Sequence, residues 1–128
     1  MNLSATRVLA SFAFGASLVA LASPARAAMP ETKDGILTGD NGMTLYTFDK
    51  DKAHSGKSEC TGACAKNWPP FLASASESAS GDYSFVQRAD GKMQWAYKGK
   101  PLYFWHKDKK PGDQTGNGFK NVWHVAKG

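Results

Sequence analysis

The chain has 128 residues, a formal net charge of +5 at pH 7 and 12% aromatic residues. This length allows one small domain with a modest hydrophobic core. The basic residues are mostly lysines spread along the chain, whereas a nucleic-acid-binding surface requires a clustered basic face. The composition therefore argues against a nucleic-acid-binding protein.

The N-terminal segment has the three parts of a secretory signal peptide. Arg7 lies in the positive region, an apolar stretch covers residues 8–22, and a small-x-small cleavage pattern ends at Ala27. The apolar stretch is shorter than the roughly 20 residues that span a bilayer. We therefore expect a Sec-type signal over residues 1–27, cleavage after Ala27, and a periplasmic or secreted domain over residues 28–128 without a stable membrane anchor.

The mature sequence consists of short alternating runs that end in Gly, Asp or Asn, which is typical of a small all-β domain. The first two runs predict a hairpin, the next three predict a meander, and one more strand follows near the C-terminus. Residues 63–67 form at most one helical turn. The predicted strands cover residues 36–38, 44–48, 83–88, 93–97, 102–106 and 121–126.

An internal duplication organises the mature chain. Each half contains a Tyr-x-aromatic-x-x-Asp motif, then a polar loop with glycine, then a tryptophan, and such self-similarity indicates two copies of one structural unit. The repeats cover about residues 35–71 and 82–126, and a small polar connector over residues 72–81 joins them. The motif residues are Tyr46, Phe48, Asp51 and Trp68 in repeat one, and Tyr103, Trp105, Asp108 and Trp123 in repeat two.

These ordered motifs resemble the secreted-repeat family of predicted bacterial lipoproteins, which is described by the pattern Yx(FWY)xxD. The resemblance rests on Tyr46, Phe48 and Asp51, on CTGACAKNWPPF, and on DGKMQWAYKGKPLYFWHKDKKPGDQTGNGF. It implies an exported, mostly β domain built from a tandem repeat, and it implies no particular reaction. The sequence has no cysteine near the expected cleavage site, so we do not expect the lipid anchor of the family name.

The repeated aromatic residues are interpreted as core residues. Tyr46 and Phe48 are two positions apart and share one face of a strand, and Tyr103 and Trp105 do the same. Folding explains a duplicated position better than two separate binding sites do, so we expect both pairs to pack on the tryptophan that ends each repeat. The alternative is an exposed aromatic shelf for a glycan or peptide, with Phe104, Trp95 and Tyr97 as candidates.

The only two cysteines, Cys60 and Cys64, lie four positions apart. In an oxidising compartment two isolated thiols at this spacing are expected to pair. On the chain-entropy model such a short loop contributes about 2 kcal/mol. An exchangeable pair would favour Cys-x-x-Cys at a helix N-terminus, so a thiol-disulfide redox protein is a second alternative function.

Three histidines, His54, His106 and His124, together with Met43 and Met93, are the candidates for a copper or other metal site. A blue-copper centre also needs a free cysteine thiolate, which the expected disulfide removes. We therefore expect no metal and no other cofactor. A periplasmic metal-binding protein is the first alternative function.

Catalytic motifs are absent from the sequence, which has no nucleophile elbow, no zinc-protease helix and no phosphate-binding glycine loop. Asp51 and Asp108 are expected to bond amides of the loops that follow them. The sequence thus predicts an exported, non-enzymatic binding or interaction module. Its partner is an unknown protein or small molecule, and the loops after the two aspartates would form its variable surface.

Overall fold

Short strands make up most of the ordered structure in residues 29–128, the part of the chain that the computed structural model describes. The predicted signal peptide therefore lies outside the described residues. Within the described range, no helix is long and apolar enough to cross a membrane. The elements are β1 (Glu31–Lys33), β2 (Ile36–Thr38), β3 (Tyr46–Phe48), α1 (Ala63–Asn67), β4 (Tyr83–Gln87), β5 (Met93–Tyr97), β6 (Lys100–Pro101) and β7 (Trp123–Val125), with 3₁₀ turns at Asp40–Gly42 and Phe119–Asn121.

The strands form three small antiparallel sheets. In the first, β1 pairs with β2, and in the second, β3 pairs with β7 so that Thr47 lies opposite His124. The third is the meander β4-β5-β6, in which Phe85 lies opposite Trp95. Aromatic and β-branched residues recur in these runs because they pack well on a pleated, half-buried surface. The sheets and the single helical turn confirm the predicted all-β class.

The predicted first hairpin is only partly right. Leu45 N–H does donate to Leu37 O at 3.0 Å, so the two segments lie side by side. The strand that pairs along β2 is nevertheless β1, and β3 pairs with β7 from the other repeat. The sequence pattern missed β1 because its three residues, Glu-Thr-Lys, are all exposed and show no apolar alternation.

The third strand of the predicted meander is shorter than expected. Strand β6 ends at Pro101, although Leu102 N–H still donates to Trp95 O at 2.9 Å. From Tyr103 onward the chain leaves the meander and forms bridges to Tyr46 and Pro70 in repeat one. The apolar alternation of residues 102–106 therefore reflects contacts with the other repeat, which local periodicity does not distinguish from strand pairing.

Two clusters of buried side chains stabilise the domain. One lies under the meander and contains Leu37, Leu45, Phe71, Trp95, Leu102 and Ala126. The other lies where the two repeats meet and contains Tyr46, Phe48, Cys60, Trp68, Tyr103, Trp105, Trp123 and Val125. The second cluster thus holds all the aromatic residues of the duplicated motif. We refer to it below as the junction core.

The predicted disulfide is confirmed. Cys60 and Cys64 are bonded, and Cys60 is fully buried in the junction core. Cys64 belongs to α1, whose backbone turn brings the two cysteines close enough to bridge. The bond therefore anchors the loop of repeat one to the place where the repeats meet.

Candidate functional site

The two repeats are joined by reciprocal hydrogen bonds between their motifs. Tyr46 O–H donates to Asp108 Oδ2 at 2.7 Å, and Tyr103 O–H donates to Asp51 Oδ2 at 2.5 Å. The backbones of the two tyrosines also exchange hydrogen bonds, of 2.8 Å and 3.0 Å. Each tyrosine therefore serves the aspartate of the other repeat, and the repeats are related by an approximate two-fold axis between Tyr46 and Tyr103.

The second carboxylate oxygen of each aspartate accepts hydrogen bonds from the loop that follows that aspartate. Asp51 Oδ1 accepts a hydrogen bond from Glu59 N–H at 2.6 Å. Asp108 Oδ1 accepts from Thr115 N–H at 3.0 Å and from Thr115 Oγ1 at 2.6 Å. Both carboxylates are buried and both of their oxygens are occupied. Each aspartate therefore links its own loop to the tyrosine of the other repeat.

Burial shifts the pKa of Asp51 and of the two motif tyrosines. It raises the pKa of the Asp51 carboxyl, and hydrogen bonds from Tyr103 and Glu59 offset part of this effect. Burial, together with the hydrogen bond to a carboxylate, raises the pKa of Tyr46 and Tyr103 well above the usual range. The two hydroxyls thus remain protonated donors at neutral pH.

A column of stacked rings crosses the junction core. Phe48 stacks on Trp123 with ring centroids 4.2 Å apart, Trp123 on Trp68 at 3.8 Å, and Trp68 on Trp105 at 4.0 Å. Successive rings come from alternate repeats, and the motif tyrosines meet the two central rings edge-on. Both geometries are favourable for aromatic pairs. We call these four rings the aromatic column.

A cleft of about 250 Å³ opens beside the aromatic column. Trp68 and Trp123, each only 3% exposed, are among the residues that line it. Phe119 lines one wall and is 37% exposed, which makes it one of the few large exposed apolar side chains in the described chain. Lys50 and Lys120 also line this junction cleft.

The duplication distinguishes residues that build the fold from residues that do not. When the Lys-Asn pair shared by both repeats is aligned, Phe119 stands where repeat one has Ala65, and Val122 is an extra residue before Trp123. The backbone differs as well: repeat one is helical there, whereas Lys120 and Asn121 have φ values of 51° and 62°. Left-handed backbone at non-glycine residues is costly and often lies at functional sites.

The loops after the two aspartates each line a further groove. The loop after Asp51 contributes Lys57 and Ser58 to an open groove of about 550 Å³ beside the β4–β5 turn. The loop after Asp108 contributes Pro111 and Gln114 to a groove of about 290 Å³ beside the β1–β2 turn. Both loops therefore border surface depressions, but neither depression is lined by an aromatic side chain as the junction cleft is.

The three histidines lie apart from one another. His124 Nε2 lies 2.9 Å from Asp49 Oδ2 in an exposed pair. His54 N–H donates to Gly99 O at 3.0 Å, and the His106 ring lies edge-on to Trp105. In residues 29–128 no group of three His, Cys, Asp or Glu side chains is arranged to hold a metal ion. The structure thus offers no support for the metal-binding alternative.

The other sequence-predicted aromatic candidates lie elsewhere. Trp95 is fully buried, while Phe104 and Tyr97 are half-buried at the cluster under the meander. They do not form a shelf with the junction cleft. Sequence reasoning missed Phe119 as a site residue, and the signal that points to it is its mismatch with Ala65 when the repeats are aligned.

Comparison with known proteins identifies one family. The sequence profile of a secreted repeat of unknown function matches residues 29–71 and 84–127, which confirms the resemblance seen in the motifs. No curated protein and no solved structure matches the chain. Each matched segment contains one Tyr-x-aromatic-x-x-Asp motif and one of the central tryptophans of the column. The chain therefore belongs to the family of secreted repeats of unknown function.

Proposed function

We propose that the protein is an exported, non-enzymatic binding module whose ligand site is the junction cleft. The family description as a secreted repeat is consistent with export. The form of residues 1–27 supports a cleaved signal peptide and a product released into the periplasm or medium. The missing cysteine near the cleavage site supports a product that carries no lipid.

The binding proposal rests mainly on the exposed ring of Phe119. Residues that build the junction occur in both repeats, whereas this ring has only an alanine as its counterpart. It rests against Trp105 with centroids 4.9 Å apart and leaves more than a third of its surface open. An exposed aromatic residue at the mouth of an apolar cleft is the kind of anchor that dominates binding energies.

The motif residues support a structural role, which favours binding over catalysis. The buried carboxylates and tyrosine hydroxyls bond to one another, and Ser58 Oγ lies 2.6 Å from Tyr103 Oη instead of next to a histidine. A serine nucleophile requires an adjacent general base. Since these groups are already used in folding, the protein is proposed to bind its ligand without transforming it.

A neutral fluorescent probe, phenylnaphthylamine, tests the proposed site. We expect Phe119→Ala, which introduces the residue of repeat one, to weaken binding of the probe about fivefold or more, as loss of an interface anchor does. Leu72→Ala is the matched control because Leu72 is 38% exposed and lies on the connector, away from the cleft. Equal affinities for wild type and Phe119→Ala, with unchanged melting temperature, would reject the junction cleft as the site.

A further inference from the structure

We infer that the junction cleft takes a small organic anion with a planar apolar body, an inference that rests on the binding function proposed above. The charged side chains that line the cleft all carry the same sign. They are Lys50 and Lys120, and no aspartate or glutamate of residues 29–128 lines the cleft. The remaining lining includes the apolar rings of Phe119, Trp68 and Trp123. A ligand that complements both features has a flat apolar part and a negative group.

Neither of the two lysines that line the cleft forms an ion pair within the described chain. The ion pairs in residues 29–128 use Lys57, Lys110 and His124 as their cations. Asp49, the acidic neighbour of Lys50 in sequence, is held by His124 at 2.9 Å. Both lysines of the cleft therefore keep their charge available to a ligand, and a negative group there would meet two cations without displacing a carboxylate.

The charged end of Lys120 lies next to the aromatic ring of Phe119, which also lines the cleft. Its Nζ lies 5.5 Å from the centroid of the Phe119 ring, within the range of a cation–π contact. The left-handed backbone at Lys120, with φ 51°, belongs to the same 3₁₀ turn that presents this ring. A planar ligand stacked against Phe119 would thus have its negative group next to an ammonium group.

The size of the cleft restricts the ligand. Its volume of about 250 Å³ lies just below the range of about 300–1,000 Å³ that is typical of sites for drug-sized molecules. Rings of Phe and Trp prefer offset or edge-on contact with other flat groups. The class of ligand that fits is therefore an aromatic carboxylate or sulfonate of one or two fused rings. Part of the bound ligand would remain exposed to solvent.

A matched pair of probes tests this inference. Anilinonaphthalene sulfonate and phenylnaphthylamine share the same ring system, but only the first carries a negative charge. We expect the double variant Lys50→Gln/Lys120→Gln to weaken binding of the sulfonate about fivefold, as two partly solvated charge contacts would. Binding of the neutral probe should change less than about twofold. The difference should shrink in 1 M salt, where the screening length is about 3 Å.

The control variant is Lys92→Gln/Lys127→Gln, which removes the same charge from residues outside the cleft lining. If this control weakens sulfonate binding as much as the cleft variant does, general charge attraction explains the effect and the inference is wrong. The inference is also wrong if the cleft variant weakens both probes equally or neither. Failure of the binding proposal has a different signature, because then Phe119→Ala leaves both probes unaffected. Melting temperatures confirm that every variant is folded.

Discussion

At the level of single residues, each copy of the Tyr-x-aromatic-x-x-Asp motif supplies one tyrosine and one aspartate to two hydrogen-bonded pairs that join the repeats. Tyr103 and Asp51 are separated by 52 positions, yet their side chains form one of the shortest hydrogen bonds in the described structure, at 2.5 Å. Each aspartate needs two partners, a loop amide from its own repeat and a hydroxyl from the other. This double requirement explains why tyrosine and aspartate occur together in each copy.

Tyr103→Phe should destabilise the protein by about 1–3 kcal/mol, because it leaves a buried carboxylate oxygen without its donor. Urea unfolding followed by circular dichroism measures the change. Tyr97→Phe is the control, since Tyr97 is a half-buried tyrosine outside the motif. In a double-mutant cycle with Asp51→Asn, a coupling energy below about 0.5 kcal/mol would contradict a direct Tyr103–Asp51 interaction.

Stability should also fall at alkaline pH. Burial raises the pKa of Tyr46 and Tyr103 in the folded protein above 10.0, the ordinary value that applies to the unfolded chain. The unfolded state therefore loses protons first, so the free energy of unfolding decreases as pH rises above about 10. Tyrosinate absorbance from these two residues should appear together with loss of near-ultraviolet circular dichroism. Their full ionisation in a protein that retains its dichroism would contradict the burial argument.

At the scale of elements, the aromatic column constrains the loop that passes over it. Gly116 lies so close to the column that a Cβ atom there would be 2.7 Å from the Trp68 ring and 2.9 Å from the Trp105 ring. Its N–H also donates to Tyr46 Oη at 3.2 Å. The loop after Asp108 therefore requires a glycine at this position for lack of space.

Gly116→Ala is expected to cost about 1–3 kcal/mol, the usual range for overpacking a core. The substitution should also reduce the near-ultraviolet dichroism of the stacked tryptophans, because Trp68 and Trp105 must shift. Gln114→Ala, at an exposed position of the same loop, serves as the control. A Gly116→Ala variant with wild-type stability and spectrum would show that the loop moves away from the column at no cost.

At the scale of the whole molecule, the repeats are interlocked. The pairing of β3 with β7, the two Tyr–Asp bonds and the alternating rings of the aromatic column all join one repeat to the other. The connector over residues 72–81 adds few contacts of its own, among them a bond from Ala73 N–H to Met93 O at 2.9 Å. The two repeats are thus parts of one cooperative unit.

This organisation predicts that the chain tolerates a break in the connector. A specific protease site inserted after Ser78, an exposed residue, should allow cleavage of the folded protein into two halves. The halves should remain together in size-exclusion chromatography and keep the near-ultraviolet spectrum, while thermal stability becomes dependent on concentration. Separation of the halves at micromolar concentration would show that the contacts between repeats are too weak without the connector.

The fold class, the disulfide and the duplication could all be predicted from the sequence. Alternation predicted β4 and β5 closely because both faces of a hairpin are set by residues near in sequence. The disulfide followed from two cysteines four positions apart in a chain that we expect to be exported. The duplicated motif was visible because tyrosine, a second aromatic residue, aspartate and tryptophan recur in the same order.

The way in which the two copies meet depends on long-range contacts and could not be predicted from the sequence. Local periodicity carries no information on which repeat supplies the partner of Tyr46, so it placed two segments of repeat one side by side, as they are at Thr38 and Thr44, but missed the pairing of β3 with β7. The junction cleft depends on contacts between residues about fifty or more positions apart, such as Trp68 and Trp123. Phe119 becomes recognisable as exposed only when this packing is known, because burial is a property of the assembled repeats and not of the residue type.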